Sequence, residues 1–385
     1  MGGVEFDTRG VASLDGTWDF FPGDHELEEL AALEPEPIAV PALWEAAGFL
    51  ELDGTAWYRT RFHLDDVEGW WTLRFGAVMD LADVYLNGIL LGSHESPFTP
   101  FELDATAALV AGENELAVRV VDPPLGDPQH TRLAHGKQGW MNHVFPSRPS
   151  LYMTYGGIWQ SVTLRHHGPL VIRDVFVNGD PDGLAVEVEL ENRSSEPAEA
   201  RVGVRTLGRV RELDATVEPG GLSTVKAVLG RVTAARWTPE SPVLHEVLVD
   251  AREGGRASDV QVDRYGLRTV RVEGRHMYVN DEPYRMKSVL VQGFTADELY
   301  AEGPTEAIEA EVRAAKDMGF NTVRLHIKAF DPRYLDVCDR LGIFVHCDLP
   351  VAEPIEHHEL GADTLVGRRC ITAITEQVRR DRNHP

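Results

Sequence analysis

Residues 304–349 read PTEAIEAEVRAAKDMGFNTVRLHIKAFDPRYLDVCDRLGIFVHCDL, and two hydrophobic periods alternate within this stretch. Ile308, Val312, Ala315 and Met318 recur at helical spacing after Pro304-Thr305, and Gly319 follows where a helix stops in a left-handed residue. An apolar run of strand length, residues 321–327, comes next. Asp331-Pro332 then supplies an N-cap with proline at the first helical position, and Gly342 ends that second helix. Residues 343–349 form another strand-length run. Upstream, residues 285–291 have the same character. Downstream, a third helix is expected over about residues 364–380, burying Ile371, Ile374 and Val378 and placing Arg379 and Arg380 at the negative end of its dipole. Strand and helix therefore alternate three times, which predicts three βα units whose strands need cover on both faces.

Working outward toward the N-terminus, the period changes to two. Tyr58, Thr60, Phe62 and Leu64 alternate with Arg59, Arg61 and His63, and Trp71, Leu73 and Phe75 repeat the pattern. Asn87-Gly88 between apolar runs predicts a two-residue hairpin turn in which both residues take positive φ. Many short strands at this spacing predict a jelly-roll sandwich over residues 1–168. Over 169–266, Leu184, Val186, Val188 and Leu190 alternate with Ala185, Glu187 and Glu189, which suits an immunoglobulin-like β-sandwich. Between these patterns, residues 129–155 form a long polar stretch rich in His, Trp and Pro, the kind of ordered loop that carries function. The expected class is multidomain. Two β-sandwiches precede the first three βα units of a (β/α)8 TIM barrel over 267–385. A complete barrel needs about 250 residues, so this last segment is about half of one. Arg382-Asn383-His384-Pro385 reads as turn chemistry leading onward rather than as a packed finish.

Composition narrows function. The 62 acidic against 37 basic side chains leave a formal charge of −25, which argues against nucleic acid and anionic membranes as partners. The sequence shows no basic-then-apolar leader and no run of about 20 apolar residues, so a soluble, cytoplasmic protein is expected. Cys338, Cys347 and Cys370 lack C-x-x-C spacing and imply neither a disulfide framework nor a zinc site. His357-His358-Glu359 are adjacent residues on a loop and read as a solvated segment rather than metal ligands. No phosphate-cradling glycine motif is present. Neither a metal nor a cofactor is called for.

Ten short motifs carry a resemblance. They are Leu14-Asp15-Gly16-Thr17-Trp18, Trp57-Tyr58-Arg59, Val84-Tyr85-Leu86-Asn87-Gly88, Gly112-Glu113-Asn114-Glu115-Leu116, Tyr155-Gly156-Gly157-Ile158-Trp159, Trp237-Thr238-Pro239-Glu240-Ser241-Pro242, Tyr265-Gly266-Leu267-Arg268, Met318-Gly319-Phe320-Asn321-Thr322-Val323-Arg324, Cys338-Asp339-Arg340-Leu341-Gly342 and Arg380-Asp381-Arg382-Asn383-His384-Pro385. In this order they resemble glycoside hydrolase family 2, which contains β-galactosidases, β-glucuronidases and β-mannosidases. The resemblance implies a retaining exo-β-glycosidase acting on a β-linked sugar or oligosaccharide, with two carboxyl groups about 5–5.5 Å apart. In the family the acid/base Glu and the nucleophilic Glu both follow the Asn-His-Pro motif, beyond residue 385. No catalytic residue is therefore named, and the chain as it stands is expected to be inactive.

Strand alternation turns Arg324 and His326 away from the helices if Val323, Leu325 and Ile327 face them, and Phe344, His346 and Asp348 likewise share a face. Arg324 matches a family Arg that braces the carboxylate neighbourhood. The family's sugar-binding His stands one position after His326, where this chain has Ile327, so His326 reads either as a sugar donor or as a support. Asp348 reads either as a sugar or metal neighbour or as the partner of a barrel Arg. Lys137, Trp140 and Asn142, around a Gly-Lys-Gln segment, are candidates for a distal sugar or a domain-interface loop. Glucuronidase-like members carry an Asp where this chain has Leu151. The alternatives are a non-catalytic carbohydrate-binding β-sandwich protein and a ligand-free structural one. The three βα units argue against both, although their unpaired outer strand leaves room for a homo-oligomer.

Overall fold

The computed structural model describes residues 4–7, 9–124, 127, 134, 136–138, 153–179, 183–351 and 361–385. The first sandwich packs a six-stranded antiparallel sheet, which includes Gly54–Leu64, Gly112–Asp122 and Leu81–Leu86 as neighbours, against a four-stranded sheet containing Val162–His167 and Trp70–Phe75. Alternation sends Tyr58, Phe62, Leu73, Phe75, Val84, Leu116 and Val118 into one core. Asn87 and Gly88 take φ of 52° and 80° in a two-residue turn that sets Leu86 opposite Ile89, as the sequence predicts. The second sandwich pairs a three-stranded with a four-stranded sheet over Val186, Val188, Val202, Val204, Val247 and Val249.

A three-stranded meander over 270–284 follows that the sequence reading did not anticipate. Val270–Glu273, His276–Val279 and Glu282–Tyr284 turn at Gly274 and at Asn280-Asp281, whose φ values are 52° and 70°. Asn-Asp between short apolar runs is its sequence signal. Met277, Val279 and Tyr284 pack on Trp237 and Phe344, covering the start of the parallel sheet.

That sheet runs Ser288–Val291, Thr322–Leu325, Phe344–Cys347, all parallel and each shorter than its apolar run. Helices α1 (Thr305–Asp317), α2 (Pro332–Leu341) and α3 (Leu365–Asp381) accompany it. Ile308, Val312 and Ala315 of α1 are buried, but Met318 is the C-cap residue and 69% exposed. In α2 the Asp331 side chain accepts from Arg333 N and Gly342 closes the helix at φ 72°. The α3 reading needs correcting. Its inward stripe is Val366, Cys370, Ala373 and Gln377, so Ile371 and Val378 fall on the exposed side. The stripe begins at the polar N-cap turn and faces Ala134 and the first sandwich, where Thr99 Oγ1 donates to Glu376 Oε2 at 2.5 Å and Arg369 pairs with Glu95 at 2.8 Å.

Residues 382–385 are packed, contrary to expectation. Arg382 pairs with Asp174, and Asn383 accepts from Val177 N at 3.0 Å and donates to Val175 O at 2.7 Å. His384 Nδ1 lies 2.6 Å from Asp339 Oδ2. Pro385 sits so close to Gly266 that a Cβ there would come within 2.6 Å of it. This turn clasps the second sandwich to the helical region. Among the described residues no helix is long and apolar enough to cross a membrane.

Candidate sugar site at the ends of the parallel strands

Val323 and Leu325 point into the helix-covered core, which leaves Arg324 and His326 on the opposite face of their strand. The next strand hands Asp348 to the same place. Arg324 Nε lies 3.0 and 3.1 Å from the two Asp348 oxygens and Nη2 donates to Oδ2 at 2.8 Å, a forked pair. The pair raises the pKa of Arg324, whose side chain stays 44% exposed. His326 Nε2 is 3.9 Å from Asp348, and its Nδ1 is 3.3 Å from Gln292 Oε1. Burial pushes the His326 pKa down, Lys137 adds to this, and Asp348 opposes it. His346 approaches Asp348 to 3.9 Å but is exposed. Of the two alternatives open for Asp348, the structure contains the pair with Arg324.

Ile327, immediately after, sits at φ 52°. A β-branched residue in this region is a steric outlier, held here by its surroundings. Its carbonyl faces Gly136 (φ 69°), where a Cβ would lie 2.7 Å from that oxygen and 2.7 Å from Tyr300 Oη. Only glycine lets the Gly-Lys-Gln segment approach so closely. The segment is further fixed by Gly136 N donating to Pro350 O at 3.1 Å and Lys137 N to Tyr300 Oη at 3.3 Å. Gln138 donates to Asp80 Oδ1 at 3.1 Å and accepts from Tyr155 N at 2.7 Å.

Lys137 is thereby carried from the first sandwich to the ends of the parallel strands. Burial pulls its pKa down to about 8; Asp348 opposes this, while Arg324 and Lys328 add to it. Trp140, Asn142 and the His357-His358-Glu359 loop lie outside the described residues. The structure therefore gathers Arg324, His326, Asp348 and Lys137 into one place. Beneath them, Lys328 pairs with Glu302 at 2.8 Å, donates to Tyr300 O, and lies 4.4 Å from the Tyr300 ring centroid and 4.9 Å from that of Phe330. Neither Lys328 nor Glu302 was singled out from sequence. A lysine directly after the apolar run 321–327 was the available signal. Asp336, Asp339 and His384 also bring ligand atoms within 4.8 Å of one another, but the His384–Asp339 hydrogen bond accounts for that cluster.

Residues 49–156 match the family described as glycosyl hydrolase 2 galactose-binding domain-like, and residues 170–268 match glycosyl hydrolases family 2. The chain belongs to glycoside hydrolase family 2. It is 27% identical over 362 residues to a β-galactosidase of Photobacterium profundum, covering 86% of this chain and 32% of that protein. To a β-glucuronidase of Paenibacillus borealis it is 25% identical over 422 residues, covering 98% and 66% respectively. This family 2 chain thus spans between about a third and two thirds of the length of these relatives. A β-galacturonidase from Eisenbergiella tayi, solved with bound galacturonate, superposes with a TM-score of 0.83 at 24% identity, covering 100% of this chain and 65% of that one. The described residues of the family 2 chain, parallel strands included, share that fold.

Proposed function

We propose that this chain is the N-terminal portion of a retaining exo-β-glycosidase of the β-galactosidase or β-glucuronidase type, with the acid/base and nucleophilic Glu beyond residue 385. In this reading the first sandwich is a jelly roll, the second is immunoglobulin-like, and the parallel strands are the first three of a (β/α)8 barrel. The observation that carries it is the convergence of Arg324, His326, Asp348 and Lys137 at the C-terminal ends of parallel strands, where barrel enzymes hold their substrates. Asp348 is engaged on both oxygens by Arg324, which fits a positioning carboxylate better than a nucleophile. Arg324 orients that carboxylate, His326 presents a donor to sugar hydroxyls or a sugar carboxylate, and the buried Lys137 adds positive charge to the site.

The chain is expected to show no turnover of nitrophenyl β-glycosides. It should nonetheless bind galactose, glucuronate or galacturonate weakly by ligand-observed NMR, and His326→Ala should weaken that binding by about tenfold, the scale of one or two hydrogen bonds from a neutral imidazole. Hydrolysis abolished by Asp348→Ala would refute the assignment of the carboxylates, and sugar binding indifferent to both Arg324→Ala and His326→Ala would refute the site.

A further inference from the structure

Trp71, Leu73 and Phe75 turn into the core of the first sandwich, so Thr72 and Arg74 face away from that core on the four-stranded sheet. Thr163 stands opposite Arg74 on one neighbouring strand and Glu102 on the other, while Arg165 stands opposite Thr72, so these side chains share one outer face. The second sandwich and α3 roof this polar face without filling it. The cleft between them measures about 570 Å3, and its lining includes none of Arg324, His326, Asp348 and Lys137. A bulge between Ile172 and Asp174 lets the second sandwich contribute Arg173, and α3 contributes Glu376, Arg379 and Arg380.

Six arginines and four carboxylates line the cleft, in a chain whose formal charge is −25. The carboxylates are all engaged from within. Arg173 Nη1 donates to Glu102 at 2.7 Å, Arg382 pairs with Asp174, Asn383 donates to Asp263, and Thr99 donates to Glu376. Four of the arginines are matched too: Arg9 by Asp7 at 2.7 Å, Arg165 by Asp259, Arg173 by Glu102, and Arg380 by Asp381 at 2.6 Å. Two are left over. Among the described residues Arg74 comes no nearer a carboxylate than 3.8 Å, from the Glu102 that Arg173 already holds, and its side chain makes no hydrogen bond. Arg379 comes no nearer than 3.9 Å, to Glu189. Burial pulls the Arg74 pKa down; Glu102 opposes this, while Arg165 and Arg380 add to it. Its side chain nevertheless stays 44% exposed, so the guanidinium is crowded by like charges yet reachable from the cleft. An arginine does not shed its proton under such crowding as a buried lysine does, and an anion relieves it instead.

We propose that this cleft between the two sandwiches and α3 binds a small polyanion, a molecule carrying two or more carboxylate or phosphate groups, with Arg74 as its inner contact and Arg379 as its outer one. Guanidinium forks match the oxygens of either group, which makes the two chemistries equivalent here. The cleft has the size of a small-molecule site rather than of a lone ion. More than one anionic group is required because the two unmatched arginines come from different elements, a sheet strand and a helix. The acidity of the rest of the chain does not prevent binding, since exposed charges beyond about 8 Å are largely screened at physiological ionic strength. A ligand held by both arginines would tie the first sandwich to α3.

The test uses the whole chain at about pH 7.5 in buffer free of divalent cations, with citrate and pyrophosphate as probes and NaCl at matched ionic strength as reference. Calorimetric titration should show one site per chain for at least one probe, and about 5 mM of that probe should raise the melting temperature by about 3 °C over the reference. A response to citrate alone marks the ligand as a polycarboxylate, and one to pyrophosphate alone as a phosphate compound. Arg74→Gln should weaken binding by about tenfold or more and Arg379→Gln by about threefold or more. Arg313→Gln, which removes the same charge from an exposed position on α1, should leave it unchanged. Should Arg74→Gln melt well below the parent in NaCl, the exposed Arg379→Gln decides. The proposal fails if neither probe exceeds NaCl, or if the response survives intact in Arg74→Gln and Arg379→Gln, which would put the anion elsewhere, for instance beside Arg324. An equal loss in Arg313→Gln would make the response a general effect of net charge and also overturn it.

Discussion

Lys328–Glu302 and Asp80–Asp122 are both buried charged pairs near the interface of the first sandwich and the parallel sheet, and they are handled in opposite ways. Lys328 and Glu302, with side chains 0% and 2% exposed, hold each other at 2.8 Å, and the ammonium also has backbone carbonyls and aromatic faces around it. Burial still pulls Lys328 down and Glu302 up, but each charge has its counter-charge. Among the described residues Asp80 and Asp122 have no counter-charge; Gln138 donates to Asp80, and the Thr154 hydroxyl lies beside Asp122. The contrast teaches that depth alone does not set the cost of a buried charge; the surroundings do. Removing one member should therefore have opposite signs at the two sites.

The largest effect is expected at the compensated pair. Lys328→Met leaves Glu302 buried without a cation and should destabilise the chain by about 3–5 kcal/mol in urea unfolding. Lys328→Met combined with Glu302→Leu should recover most of that loss. A single variant as stable as the parent would show that Glu302 is already neutral, and the contrast with the Asp80–Asp122 pair would collapse.

A middle-sized effect should follow from disturbing the segment that joins the two sites. Gly136→Ala places a methyl against the Ile327 carbonyl and Tyr300 Oη, and the loop that gives Asp80 its amide donor must retreat. A loss of about 1–3 kcal/mol is expected, together with weaker sugar binding because Lys137 moves with the loop. Unchanged melting and sugar binding would mean that the close approach is not needed.

The two regions also differed in how much their sequence disclosed. The βα units were legible because Gly319, Asp331-Pro332 and Gly342 are local signals of helix ends, and strand alternation was enough to put Arg324, His326 and Asp348 together. The inward face of α3 was not, since Ile371 and Val378 are more apolar than the Gln377 that is buried, and only the docking surface decides between faces. The Asp80–Asp122 pair was invisible for a related reason. Asp122 ends one strand and Asp80 immediately precedes another, and only the register that sets Leu81 opposite Val121 brings the two together. Gly-Lys-Gln stood out as a motif, but its glycine proved as informative as its lysine.

His384–Asp339 offers a third case, a compensated pair near enough to solvent to titrate, and it should give the smallest effect. Burial alone would push the His384 pKa down, but the hydrogen bond and charge of Asp339, aided by Asp381 and Asp336, outweigh it and the net shift is upward. Asp339 itself is raised, because its burial outweighs the help of His384; the imidazolium among three carboxylates is the firmer direction. A histidine whose folded pKa exceeds its unfolded value of about 6.5 contributes stability that is fully present below that value and is lost as pH rises through the folded one. The clasp between α2, where Asp339 lies, and the second sandwich should therefore weaken as pH is raised above about 6.5. Urea midpoints of the parent and His384→Gln, compared at intervals from about pH 5.5 to 9, should differ most at the acid end and converge at the alkaline end. A constant difference across that range would mean that His384 acts by packing alone and that the pair carries no charge.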